Sequence, residues 1–184
     1  MTERSHPAHG TRRRLLRHIV LAIALLLPAG ELHAQDASSV VYIVRHAERA
    51  EDGTSDPPIS EIGEARSQLI ATLMADAGLT HLHTTDFQRT RSTIEPTAAA
   101  TGLVPSVYDA SDLEAFAARL RATPGRHLVV GHSNTNTELV RALSGDPGGP
   151  IEEMEYDRGY VVVVLPGGYS GSSIFRFGQD GLER

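Results

Sequence analysis

A chain of 184 residues, 40% apolar and 5% aromatic, is long enough for one domain with a core of Val, Leu, Ile and Ala and too short for two ordinary ones. It contains no cysteine, which removes disulfides, thiolate zinc sites and cysteine nucleophiles, and no lysine. The formal net charge of −6 argues against a nucleic-acid or anionic-membrane surface, which needs a basic face.

The first 34 residues differ from the rest. Arg12, Arg13, Arg14 and Arg17 form a cationic head, an apolar run follows from Ile19 to Leu27, and Pro28, Gly30 and Ala34 come after it. This order predicts an export signal over residues 1–34 with cleavage after Ala34, and a periplasmic or secreted product. Thr11-Arg12-Arg13-Arg14-Leu15-Leu16 also fits a twin-arginine signal, so both export routes stay open. An amphipathic helix or an uncleaved anchor is the plainer alternative, although the apolar run is far shorter than the ~20 residues of a membrane span. Five of the 17 basic and two of the 23 acidic residues lie in this segment, leaving 12 arginines against 21 carboxylates, about −9, beyond it.

Residues 35–184 read as a single domain without internal repeats. Ser39 to Val44 is a β-branched apolar run that stops at Arg45-His46, a buried strand feeding a loop. Residues 50–58 hold Gly53, Ser55, Asp56, Pro57 and Pro58 and predict a surface loop. Ser60 then stands as a helix N-cap, with Ile62, Ala65, Leu69 and Leu73 on one face of the helix that Gly78 ends. A strand follows at His81 to Thr85 and a helix at Gln88 to Thr101, in which Pro96 predicts a kink. A third strand is expected at Val104 to Tyr108 and a helix at Ser111 to Arg121, with Leu113, Phe116, Ala117 and Leu120 on its buried face. Leu128 to Val130 makes a fourth strand closed by Gly131-His132, Thr135 to Leu143 a helix, and Ser144 to Pro150 a loop. Tyr160 to Leu165 and Ser173 to Phe177 read as a closing hairpin. The alternation predicts an α/β fold, a three-layer α/β/α sandwich whose mixed sheet is mainly parallel.

Ligands of such sheets sit at the carboxyl ends of the strands, where His46 and His132 both emerge. Arg45 lies beside the first histidine, and Arg89 lies just inside the helix after the second strand. Two guanidinium groups, two imidazoles and a helix N-terminus suit a phosphate dianion, because planar N–H pairs bind its oxygens and the helix end adds partial positive charge. An imidazole nitrogen in line with phosphorus can form a phosphohistidine, which divides one hard displacement into two easier ones.

Four blocks then carry a resemblance. Val41-Tyr42-Ile43-Val44-Arg45-His46-Ala47-Glu48, Pro58-Ile59-Ser60-Glu61-Ile62-Gly63-Glu64-Ala65, Thr84-Thr85-Asp86-Phe87-Gln88-Arg89-Thr90-Arg91-Ser92-Thr93 and Val129-Val130-Gly131-His132-Ser133-Asn134-Thr135 resemble, in order, the signatures of the histidine phosphatase (phosphoglycerate mutase-like) superfamily. The resemblance implies His46 as phosphate acceptor, with Arg45, Arg89 and His132 completing the pocket, and no metal or organic cofactor. It places Arg49 where some branches hold a further substrate-facing arginine, against the alternative of a solvated loop residue. Arg91, two residues past Arg89, is expected at the surface. A small phosphorylated substrate and a monomeric protein follow as expectations.

Two departures stand out. Ala47 occupies the commonest position of a glycine. The proton donor for the leaving oxygen is unassigned, since Ser133 follows the second histidine where one branch carries an aspartate. Another branch uses a glutamate after the third strand, which points to Asp109 or Glu114; Asp112 is explained as helix first-turn charge. A chain without a dedicated acid would suit leaving groups that need little protonation.

Other readings compete. Gly131-His132-Ser133 partly resembles a nucleophile elbow with Ser133 as an ester-hydrolase nucleophile, but the second glycine is missing. His81, His83 and Asp86 could suggest a metal site, though their spacing fits no strong motif, and His127 reads as a strand-start residue. Tyr156-Asp157-Arg158 is expected as a turn with an internal ion pair, with lining of the pocket as the alternative. A phosphatase-like fold that binds a phosphorylated ligand without turnover is the remaining alternative.

Overall fold

A computed structural model of the chain describes residues 1–2, 38–168 and 170–178. The expected export signal falls outside them. Six strands and four helices alternate along the chain: β1 (Ser39–Arg45), α1 (Glu61–Met74), β2 (His81–Thr84), α2 (Gln88–Thr101), β3 (Ser106–Val107), α3 (Leu113–Ala122), β4 (Gly125–Gly131), α4 (Ser133–Ala142), β5 (Arg158–Val164) and β6 (Ser170–Arg176). They form one mixed sheet in the order β3-β2-β4-β1-β5-β6. The pairs β3/β2, β2/β4 and β4/β1 are parallel, whereas β1/β5 and β5/β6 are antiparallel. This is the mainly parallel α/β sandwich that the alternation of elements predicts.

Alternation along the strands explains the layers. Val41 and Ile43 of β1, Val129 of β4 and Tyr160, Val162 and Val164 of β5 pack on one face with Leu113, Phe116 and Leu120 of α3 and Leu139 and Val140 of α4. Val44, Leu82, Leu128 and Val130 turn to the opposite face, where Ile70 and Met74 of α1 and Ile94 of α2 cover them. Both central strands are therefore buried on both sides and read as continuous apolar runs.

The Ser60 cap follows its sequence signal, whereas Asp112, expected as first-turn charge, stands one place earlier as the cap. The Ser60 side chain accepts from Gly63 N at the start of α1, and Asp112 accepts from Ala115 N at the start of α3, giving that carboxylate a capping role. Pro96 lies inside α2, which continues unbroken to Thr101. The third strand is shorter than expected. Pro105 has no N–H to give a neighbour, Val104 is fully solvated, and only Ser106–Val107 pair, at the sheet edge.

Candidate active site

The register of two strands sets the geometry. Arg45 of β1 pairs with Gly131 of β4, and the next rung is a backbone bond from His46 N to Gly131 O at 2.9 Å. His46 and His132 thus leave adjacent parallel strands at the same level, with ring centroids 5.4 Å apart. A third parallel strand, β2, ends at Thr84, and Arg89 follows in the first turn of α2. The structure therefore brings together four expected pocket residues: Arg45, His46, Arg89 and His132.

His46 is 5% exposed, and its Nδ1 lies 2.7 Å from Ala47 O. A carbonyl only accepts, so the ring carries its proton on Nδ1 and keeps the lone pair on Nε2. Burial, reinforced by Arg45, His132 and Arg89, holds its pKa down to about 3, which leaves the imidazole neutral. The turn itself is fixed from α2, because Ala47 N donates to Thr93 Oγ1 at 2.9 Å.

Arg45 is anchored along one edge. Its Nη1 donates to the carbonyls of Glu152, Glu153 and Glu155 at 3.0, 2.8 and 3.0 Å. Its Cζ rests 4.1 Å over the Tyr156 ring. Its Nε is buried and has no partner among the described residues. Arg89 lies 4.3 Å over the Phe87 ring, and its Nη1 is 3.4 Å from Asp56 Oδ1. Burial lowers the pKa of both guanidinium groups, although both stay charged.

His132 packs edge-on to Phe87 at 5.1 Å, and its Nε2 lies 3.0 Å from Thr85 Oγ1. Burial and then Arg89 and Arg45 hold its pKa down to about 4. Asp56 closes one side of the site. Its carboxylate accepts from Gln88 N at 3.0 Å, and Gln88 Nε2 returns a bond to Asp56 O at 2.8 Å, so the 50–58 loop is clasped to the start of α2. Phe87, the N-cap of α2, supplies no side-chain cap of its own.

The remaining candidates separate. Arg49 is half exposed, 3.3 Å from Glu153 Oε1, and close enough to Arg45 and Arg89 to lower their pKa values. Arg91 is exposed and paired with Asp86, as expected of a surface residue. Asp109 accepts from Ser111 N and Oγ inside its own turn. Glu114 is exposed in the first turn of α3, on a depression shared with Glu138 and Arg141. Ser133 opens α4, and among the described residues its hydroxyl bonds to neither pocket histidine.

One sequence expectation is corrected here. Tyr156-Asp157-Arg158 is not a turn with an internal ion pair: Arg158 begins β5 and pairs with Glu155, while Asp157 pairs with Arg176. Freed from that turn, Tyr156 is buried beneath Arg45, with its ring 6.0 Å from that of His46. His81, His83 and His127 form a stack beside α3, in which His83 Nε2 bonds His127 Nδ1 at 3.1 Å and His127 Nε2 donates to Thr123 O at 2.9 Å. Those ring nitrogens face one another or a carbonyl, and among the described residues no group of three or more His, Asp or Glu could hold a metal ion.

Sequence reading gave no site role to Thr85, Phe87 or Asp56, and offered Tyr156 only as the less favoured, pocket-lining alternative to a turn. Only Thr85 and Phe87 carried a signal, their place just ahead of Arg89.

With this geometry in view, similarity to known proteins can be placed on it. Residues 41–113 match the histidine phosphatase superfamily (branch 1). That stretch contains Arg45, His46 and Arg89 and ends before His132. A probable phosphoglycerate mutase GpmB of Shigella dysenteriae is 41% identical over 68 residues, which is 34% of this chain and 32% of that protein's length. The chain thus spans about a third of the curated relatives it matches. The protein histidine phosphatase SixA, solved with tungstate, superposes with a TM-score of 0.62 at 20% identity over 74% of this chain and 96% of SixA. A putative α-ribazole-5′-P phosphatase of Escherichia coli gives 0.64 at 13% identity, over 76% of this chain and 97% of its own. These two likenesses show a shared fold over about three quarters of this chain.

Proposed function

We propose that the chain is a phosphohydrolase that works through a covalent phosphohistidine on His46. The observation that carries this reading is the fixed tautomer of His46: Nδ1–H is committed to Ala47 O, and the neutral ring keeps a lone pair on Nε2 beside Arg45, Arg89 and His132. A phosphoryl group bound by Arg45 Nε and the Arg89 guanidinium presents phosphorus to that lone pair. Nε2 attacks, the P–O or P–N bond to the leaving group breaks, and the leaving atom departs with the electron pair and takes up a proton. Water then attacks the phosphohistidine, releasing inorganic phosphate and returning the electron pair to Nε2. Charge neutralisation by the two arginines and fixed orientation supply most of the acceleration.

The substrate class follows from the carboxylates. Asp109 is committed to Ser111 in its own turn, Glu114 is exposed on a depression shared with Glu138 and Arg141, and Asp56, the carboxylate beside Arg89, also caps a helix. Leaving groups that depart with little protonation, such as phosphoramidates, acyl phosphates and phosphoanhydrides, fit this site better than alkyl phosphates. No metal or organic cofactor takes part in the scheme. Export to the periplasm or outside the cell, as a monomer, completes the proposal and rests on Arg12 to Arg14 and the Ile19–Leu27 run.

The test is turnover of p-nitrophenyl phosphate and of a phosphoramidate with chelator present, together with trapping of an acid-labile, alkali-stable phosphoenzyme. His46→Ala is expected to abolish both signals. Turnover that survives this substitution, or that chelator removes, sinks the phosphohistidine scheme. Phosphate binding without turnover favours the binding protein, and p-nitrophenyl ester cleavage lost in Ser133→Ala favours the ester hydrolase.

A further inference from the structure

Behind His132 lies a short line of buried hydroxyls. Thr85 Oγ1 sits 3.0 Å from His132 Nε2 and 2.9 Å from Thr90 Oγ1. Thr90 Oγ1 in turn lies 2.9 Å from Phe87 O and 3.0 Å from Thr85 O. Thr85 is 2% exposed and Thr90 is fully buried. The two carbonyls can only accept, so the Thr90 proton points at them; turned elsewhere, its lone pairs would face theirs. Thr90 Oγ1 is then left as an acceptor for Thr85, and the Thr85 proton is used there. The one remaining role for Thr85 toward His132 is to accept. Each hydroxyl donates once, and the line runs from His132 Nε2–H through Thr85 and Thr90 to the backbone of the β2–α2 turn.

From this polarity we infer that Thr85 is a positioning residue for His132, holding its ring as the Nε2–H form through a hydroxyl line that ends on carbonyls. The inference deepens the phosphotransfer reading above and rests on it for its kinetic consequence. A bond from ring N–H to a hydroxyl is stronger when the ring is cationic. Thr85 therefore also favours the state in which His132 carries a second proton while a phosphate dianion occupies the pocket. The other charges around the ring are Arg45 on β1, Arg89 on α2 and Asp56 on the 50–58 loop. None of them makes a hydrogen bond to the ring; the backbone of Thr135, in the capping contact that opens α4, faces the His132 side chain as a donor and supports the same Nε2–H form, so Thr85 and this cap select it together. Sequence alone shows Thr85 and Thr90 as two of many threonines; the fold aligns them.

The experiment uses the full chain labelled with 15N. Long-range ring spectra at neutral pH, with His132 assigned by comparison with His132→Gln, are expected to show the Nε2–H form in the wild type. Thr85→Val, nearly isosteric, is expected to weaken that preference and to lower kcat for p-nitrophenyl phosphate roughly ten- to a hundredfold, with KM changed much less. Thr85→Ser is expected to recover most of both. Combining Thr85→Val with His132→Ala is expected to be no worse than His132→Ala alone. Thr90→Val gives an independent check that does not require Thr85→Val to fold: with its acceptor gone, Thr85 can donate, and the Nδ1–H form of His132 is expected to gain population against the Thr135 cap. An unchanged tautomer in both valine variants overturns the inference, as does a serine variant no better than valine. Absence of wild-type turnover would remove the phosphohydrolase reading instead, while the ring spectra would still decide the role of Thr85.

Discussion

Arg45 stacks on Tyr156, with its guanidinium carbon 4.1 Å from the ring centroid, while Nη1 of the same side chain gathers three carbonyls of residues 152, 153 and 155. One pocket arginine thus organises the segment before β5 as well as the site. Tyr156→Phe is expected to be nearly silent, because the stacking is kept. Tyr156→Ala is expected to lower stability by about 3 kcal/mol and to raise the KM for p-nitrophenyl phosphate. Urea unfolding and steady-state kinetics on the two variants check this, and equal behaviour of Phe and Ala would refute it.

Glu48 and Arg66 make a second tie beneath the site. Arg66 Nε reaches both carboxylate oxygens, at 2.9 and 2.8 Å, and its side chain is 6% exposed. Glu48→Ala strands a buried cation, and the expected cost is about 3–5 kcal/mol. Replacing both partners by methionine is expected to cost clearly less. Chemical denaturation of the single and double variants decides, and a double variant as unstable as the single one would contradict the argument.

Several histidines are kept neutral by burial. The pKa values of His46 and His83 are pushed down to about 3 and that of His132 to about 4, and that of His127 is also lowered. In the unfolded chain all four return to about 6.5. Below that value the unfolded state binds protons that the folded state does not, so stability falls as the pH drops from about 6.5 toward 4. From these groups no change is expected above about pH 7.5. Each histidine adds up to about 1.4 kcal/mol per pH unit to the slope. Urea midpoints at pH 7.5 and pH 5 measure it, and His83→Gln is expected to flatten the dependence; identical midpoints at the two pH values would count against it.

Gly63 faces the backbone of the turn that follows His46. A Cβ there would stand 2.3 Å from Glu48 O and 3.0 Å from the Ile59 Cβ. A carbonyl in a ladder cannot yield as a side-chain tip can, and Glu48 O already accepts from Ser60 N at 2.8 Å. Gly63→Ala is expected to cost about 2 kcal/mol and to reduce kcat/KM by displacing residues 46–48. Retention of full activity and stability in this variant would show that the contact is soft.

Much of the fold and the convergence of Arg45, His46, Arg89 and His132 were legible. Apolar β-branched runs broken by Arg45-His46 and Gly131-His132 announce strand ends, and strand ends of a parallel sheet are where ligands gather. Ser60 announces its helix because capping is a local event. Contacts across the fold were not legible. Nothing near Tyr156 in the chain shows that Arg45 will lie on it, since the two are joined by the β1/β5 pairing. The histidine stack needs His81 and His127 to become partners in the β2/β4 register, a relation without a local signal. Asp56 reads as a loop residue until the fold carries it to Gln88 N, and Thr85 reads as the end of a strand until His132 arrives beside it.

The pairing of Arg45 with Gly131 has one more consequence. Because the two histidines hang from the same rung of neighbouring strands, the gap between them is set by the sheet spacing, as on a workshop jig. Segments 50–58 and 144–158 can lengthen, shorten or change chemistry without retuning that gap. Relatives can differ widely in what they hold above the sheet, whereas a slip of one residue between β1 and β4 would move one histidine by about 3.3 Å and turn the following side chains to the wrong face.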